Sequence, residues 1–343
     1  MGKNAGERAI LREEKRLQKE KKRQIEQANK MLIPVSKKTN QSLGIISFDP
    51  EGTFRLLKNR WLRVFEATED TLCQMVTESL KLHGRMRITM HMSERGGRAA
   101  CHISLMENGE IYEEVRQLYK HDEEILREAC VLKQLSVDEV MNLVAENFFI
   151  DTRFSYASYV RGNKDWEKEC FAKVTENEDS FLMGRFYGES LVTLAMPTVT
   201  KGDLVKKLKE LGCEFFLGFD LNALSVEEQS DFNRNLEKKY NRRLSLQSVE
   251  DYVNASMILV IVCDSDDARK IVEETVVSVM EKWGFCIAPA YATQKQVYHS
   301  LLSMGIVDAK VMRNVNVDIL ETLFGGESDE DAKVEVRADE GSR

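Results

Sequence analysis

No apolar stretch in the chain is long enough to cross a bilayer. The longest run, Met257 to Cys263, has the length of a strand, well short of the ~18–20 residues a spanning helix needs. The start also lacks the apolar core of a secretory signal, because Met1 to Lys30 is dominated by Lys, Arg, Glu and Gln. Paired cysteines are missing too. Seven stand singly (Cys73, Cys101, Cys130, Cys170, Cys213, Cys263, Cys286), odd in number and without a C-x-x-C, so reduced, mostly buried thiols of a cytoplasmic protein are expected.

Glycine-rich phosphate cradles are absent. No G-x-x-x-x-G-K-[ST] occurs, the one Gly-Lys pair being Gly2-Lys3, and there is no G-x-G-x-x-G. Gly96-Gly97, set between charged residues, reads as a hairpin turn. No G-x-S-x-G presents a nucleophile, and the run Ser155-Tyr156-Ala157-Ser158-Tyr159 has no neighbouring His or Lys motif. Tyr and Ser dense at a join more often mark an interface or a packed crossing. The five histidines (His83, His91, His102, His121, His299) form no H-x-x-x-H, and in Cys101-His102 adjacent strand residues point to opposite faces. His91 and His102 fall across one hairpin, where paired side chains are more often surface contacts than ligands.

Two charged sets merit weighing. Asp220, Asp264, Asp266 and Asp267 fall at strand ends, where open α/β sheets collect ligands. Ser265-Asp266-Asp267 also opens a helix, and there acidic residues satisfy bare N–H groups, so capping is the expected role. Lys201, Lys206, Lys207, Lys209 and Lys238, Lys239, Arg242, Arg243 cluster at helix C-terminal halves, where cations are favoured anyway, with no aromatic residue interleaved. Nucleic-acid binding is therefore not indicated, and no catalytic residue, cofactor-binding residue, cofactor or metal ligand is assigned.

The net charge of −8 is unevenly spread. Residues 1 to 30 hold ten Lys/Arg against five Glu, whereas 326–343 hold seven acidic against three basic residues. Glu7 to Lys30 lacks Pro and has high helix propensity with sparse apolar positions (Ile10, Leu17, Ile25, Ala28), which predicts a solvated or partner-dependent helix ending before Pro34. Leu43–Phe48, the turn Asp49-Pro50-Glu51-Gly52 and Thr53–Leu57 predict a hairpin, followed by a strand over Trp61–Ala67. Thr68 offers an N-cap for a helix to about His83, stopped by Gly84. Strands over Arg85–Met92 and Ala99–Leu105 and helical spacing from Ile111 to Asn147, with a Ser136 cap, complete a first module. Beyond an aromatic, charged join, strands and helices alternate: Phe186–Met196, Lys201–Leu211, Cys213–Leu221, a Ser225-capped helix to Tyr240, Ser256–Asp264, Ser265–Trp283, Phe285–Ala290 and Thr293–Met304.

The fold class expected is α+β: two modules of mixed sheet with helices on one face, in the manner of a split βαβ unit. The divisions are a charged helical tail (1–40), a first module (41–150), a join (151–184), a second module (185–325) and an acidic disordered tail (326–343).

Three segments carry a resemblance. L-G-I-I-S-F-D-P-E-G-T-F-R-L-L-K-N-R-W-L-R-V-F-E-A-T-E-D (Leu43–Asp70), R-F-Y-G-E-S-L-V-T-L-A-M-P (Arg185–Pro197) and G-F-C-I-A-P-A-Y-A-T-Q-K-Q-V-Y-H-S-L-L-S-M-G (Gly284–Gly305) resemble, in pattern and order, the N-terminal domain of the large cytoplasmic ATPases of conjugative type IV secretion systems. In that family a second half carries the Walker motifs, and this chain passes into its acidic tail where that half would begin. The resemblance implies a non-enzymatic scaffold or adaptor of a conjugation or secretion apparatus, belonging to a mobile genetic element. It implies contacts with machinery proteins, a separate ATPase among them, in the cytoplasm or peripheral to the inner face of the cell membrane. Two rival expectations stand beside it. One is a nucleotide-processing enzyme using an unrecognised site around Asp264–Asp267; the other is a DNA-binding accessory factor using the basic N-terminal helix, with steeply salt-dependent affinity.

Overall fold

A computed structural model describes residues 5–28, 33–34, 45–92, 99–151, 153–162, 170–198, 202–211, 213–240, 251–301 and 312–325. Gly96-Gly97, Lys201, Gly212, Arg242, Arg243 and the C-terminal tail from 326 lie outside them. The chain opens with helix α1 (Ala5–Ala28) and strand β1 (Ile33–Pro34). The first half then runs β2 (Ile45–Phe48), β3 (Phe54–Leu56), β4 (Arg60–Ala67), α2 (Leu72–Glu78), β5 (Arg85–Met92), β6 (Ala99–Asn108), α3 (Tyr112–Ala129), β7 (Lys133–Gln134), α4 (Val137–Asn147) and α5 (Tyr156–Gly162). The second runs β8 (Val174–Glu176), β9 (Phe181–Met183), β10 (Phe186–Ala195), α6 (Leu204–Lys209), β11 (Glu214–Ala223), α7 (Val226–Tyr240), β12 (Tyr252–Cys263), α8 (Asp266–Lys282), β13 (Cys286–Pro289) and α9 (Gln294–Leu301). β14 (Arg313–Asn316) and α10 (Val317–Leu323) close the described chain.

Local chemistry explains the boundaries. In the β2–β3 turn, Asp49 Oδ1 accepts from Thr53 N at 2.9 Å, and Gly52 takes φ +87°. An added Cβ at Gly52 would meet the Leu135 carbonyl oxygen at 2.1 Å, so only glycine fits. Ser136 and Glu139 form a reciprocal capping box at α4, and Ser225 with Glu228 does the same at α7. Thr68 differs from expectation. Its side chain caps nothing, and its carbonyl instead accepts from Thr71 Oγ1 in a 3₁₀ turn that precedes α2.

All strands belong to one sheet, ordered β1-β2-β3-β4-β6-β5-β11-β12-β10-β9-β8, with β7 on β4, β13 on β10 and β14 on β12. The α+β class stands, but the sheet is antiparallel at every described pairing rather than mixed. Hairpins join β2–β3–β4, β5–β6 and β8–β9–β10, and each helical crossover returns the chain beside an antiparallel neighbour. Helices also cover both faces, not one. In β4, Trp61 and Phe65 enter one core and Leu62 and Val64 the other; in β12, Met257, Leu259 and Ile261 oppose Ile258, Val260 and Val262. Residues of α2, α3, α6, α8 and α10 join the first core, and those of α4 and α9 the second. Central strands buried on both faces explain why Met257–Cys263 reads as an unbroken apolar run.

The two halves repeat one plan. β2-β3-β4-α2-β5-β6-α3-β7-α4 and β8-β9-β10-α6-β11-β12-α8-β13-α9 share their order and pairing, with α7 inserted in the second. In each, the third strand of the unit pairs with the fifth, the fifth with the fourth, and the sixth returns to the third. The copies meet where β5 pairs antiparallel with β11, from Met86↔Leu221 to Met92↔Phe215. The sheet is thus palindromic about that junction. β8 and β9 fall inside the segment read as a join, because strands of three residues show no periodicity of their own.

Candidate functional site

A cluster of His and carboxylate groups lies where β5 begins, beneath α3. Glu107, near the end of β6, faces the first core and is 3% exposed. Asp122, on the inner side of α3, is fully buried. Its Oδ1 accepts from His83 N at 3.0 Å and its Oδ2 from Gly84 N at 3.0 Å. The His83 ring turns onto the same carboxylate, Nδ1 to Oδ1 at 3.2 Å. His121, adjacent to Asp122 on α3, meets that ring edge to face at a centroid separation of 4.5 Å. One ligand atom each from His83, His121 and Asp122 lies within 4.8 Å of the others.

Gly84 makes this approach possible. A Cβ there would sit 2.5 Å from Glu107 Oε1 and 2.7 Å from the Met106 carbonyl oxygen, so a side chain at this position would clash with both the carboxyl group and the strand backbone. Burial, and then the neighbouring Asp122, push the Glu107 pKa up to about 9. Glu107 Oε1 has no hydrogen-bond partner.

Two further ion pairs sit inside the fold. Arg87 on β5 and Asp220 on β11 join the halves by a bidentate pair, Nε–Oδ1 at 2.7 Å and Nη2–Oδ2 at 2.5 Å, each side chain 2% exposed. Arg87 Nη1 also donates to the Ser300 carbonyl at 2.6 Å. On the opposite face, Arg269 of α8 reaches Glu189 of β10, and Asp266 and Glu273 surround the same guanidinium. Burial, then Glu273, push the Glu189 carboxyl upward.

The residues singled out in the sequence do not come together. His91 pairs with Ala100 and His102 with Thr89, so the two rings are not directly opposite. His91 Nε2 lies 3.0 Å from Glu214 Oε1 and its ring stacks on Phe216. His102 is held neutral by burial, its pKa lowered to about 4. Cys101 points into the first core, where burial raises its thiol to about 12. Asp220 lies within its strand rather than at its end. Ser265 Oγ caps α8, whereas Asp266, expected to satisfy bare N–H groups there, pairs instead with the Arg269 and Lys270 side chains. In the α6 cluster, Lys207 is balanced by Glu210 and Lys209 by Glu69. Tyr156 and Tyr159 pack on Phe48 at 6.0 and 5.7 Å.

Sequence reasoning passed over His83, His121, Asp122 and Glu107. His83 and Asp122 are 39 residues apart, and only the β5–α3 packing brings them into contact. The available signal was Gly84, which also does more than stop a helix. No family model and no curated protein matches the chain.

Proposed function

We propose that the chain is a non-enzymatic interaction subunit of a conjugative transfer apparatus, held to partner proteins through α1. The observation that carries this is the exposure of α1: from Leu11 to Gln24 every side chain is exposed. Most helical stability in proteins comes from packing an apolar face, which α1 does little of here, so a partner surface is expected to complete its order. On the body it meets Glu110 through Lys21 at 2.7 Å, beside a cleft of about 460 Å³ whose lining includes Ile25, Ile46 and Arg55. The Lys/Arg surplus of this region selects an acidic partner face.

The three segments that resemble the secretion ATPase domain support the choice of apparatus. Two of them adjoin in space, β10 pairing with β13 and Gln294 exchanging hydrogen bonds with Ser190. No described helix is long and apolar enough to cross a membrane, so contact with the inner membrane face would be peripheral. A separate P-loop ATPase is the partner this reading expects.

The test is cross-linking and co-purification from the native host of the full chain and of a chain lacking residues 1–28. Transfer-machinery proteins, including an ATPase, should follow the first and be lost from the second. Recovery of no machinery component by the full chain overturns the reading. Saturable Mg-ATP turnover that stays with the chain through purification would do the same.

A further inference from the structure

We propose that His83, His121 and Asp122 form a binding site for a borderline divalent transition-metal cation of the Zn²⁺ class. The donor chemistry sets the class: two imidazole nitrogens and one carboxylate oxygen suit zinc and its first-row neighbours, whereas Mg²⁺ and Ca²⁺ require mostly oxygen. The geometry is close to what such an ion needs. Ligands about 2.0–2.1 Å from a tetrahedral centre stand about 3.3 Å apart. The His83–Asp122 pair already has 3.2 Å, and the whole set spans no more than 4.8 Å. Both imidazoles are exposed at the surface, His83 with 53% of its side chain, so each ring can turn the remaining distance at little cost.

The floor of the site is rigid and the roof open. Asp122 is fixed by the main-chain N–H groups of His83 and Gly84, one on each oxygen, and its Oδ1 also faces the His83 ring. Such anchoring by neighbouring donors is the usual way a metal-binding carboxylate is oriented. The independent pointer to a ligand is Glu107. Its carboxyl hydrogen-bonds Asp122 at 3% exposure while its Oε1 keeps no partner, and buried polar atoms in folded proteins are almost always satisfied. With a cation on Asp122, this second carboxyl group stands beside it as an outer neighbour. The solvent side leaves a coordination position for water.

The experiment titrates the full chain, stripped with a chelator, with Zn²⁺ by calorimetry and with Co²⁺ by visible absorption. One ion per chain is expected, with d–d bands of nitrogen and oxygen ligation and no thiolate charge-transfer band. His121→Ala should weaken binding by at least about tenfold, and His83→Ala/His121→Ala should abolish it. Because both rings are exposed, circular dichroism should confirm that these variants fold. Absence of binding by the full chain at 100-fold excess metal overturns the proposal. So does affinity unchanged in the double His variant, or a thiolate charge-transfer band showing that the cysteines bind instead.

Discussion

Removing Asp220 should cost the fold about 3–5 kcal/mol. Arg87 and Asp220 are both 2% exposed and sit where the two halves join. At 4 Å and an effective dielectric of about 20, their attraction is worth about 4 kcal/mol, and taking each ion out of water costs several kcal/mol. The intact pair is therefore near balance, while either charge alone is not. In Asp220→Ala the guanidinium keeps only the Ser300 carbonyl of the partners given above, and each lost charge-assisted bond is worth about 1.5–3 kcal/mol. The double change Arg87→Met/Asp220→Leu should return most of the loss, because no charge stays buried. Urea unfolding of the wild type, Arg87→Met, Asp220→Leu and the double variant gives a coupling energy directly. A single-variant cost below about 1 kcal/mol, or a double variant as unstable as the two losses added, would refute the reasoning.

Two further outcomes follow from buried groups. His299 lies among Phe148, Phe171 and Tyr298 with both ring nitrogens unpartnered, and burial lowers its pKa to about 3. Between pH 6.5 and 3 the unfolded chain binds the extra proton, so stability is full above 6.5 and falls with acid, by about 2 kcal/mol at pH 5. Unfolding midpoints from pH 7.5 to 5 check this, and an identical slope in His299→Gln would contradict it. Gly188→Ala should cost about 1–3 kcal/mol in the same assay, since its Cβ would sit 2.2 Å from the Phe181 ring. Phe181→Leu in that background should recover part of the loss, and no recovery would argue that the clash is not the cause.

Much of the fold was legible because its signals are local. Asp49-Pro50-Glu51-Gly52, Ser136, Ser225 and Ser265 act through residues within four positions, and each set its turn or cap as read. Strand direction was not legible, since alternation along β4 or β12 is the same whether its neighbour runs parallel or antiparallel. Nor was the repeat. The copies share topology while their ion pairs differ in sign, Arg63 of β4 holding Glu123 of α3 where Glu189 of β10 holds Arg269 of α8. The His83–Asp122 site was hidden for the same reason as the sheet order, being made by packing between distant elements. Within Ile111–Asn147, read as helical spacing with a Ser136 cap, the strand Lys133-Gln134 was not seen because two residues show no alternation.

The junction of β5 with β11 has a consequence for synthesis on the ribosome. Glu214 follows Met92 by 122 residues (214 − 92), so at about 5–20 residues per second β5 waits about 6–24 s as an open edge. An uncovered strand edge invites pairing with another nascent chain. Arg87 lies on that waiting strand, and its carboxylate partner is supplied only when Asp220 of β11 arrives in register.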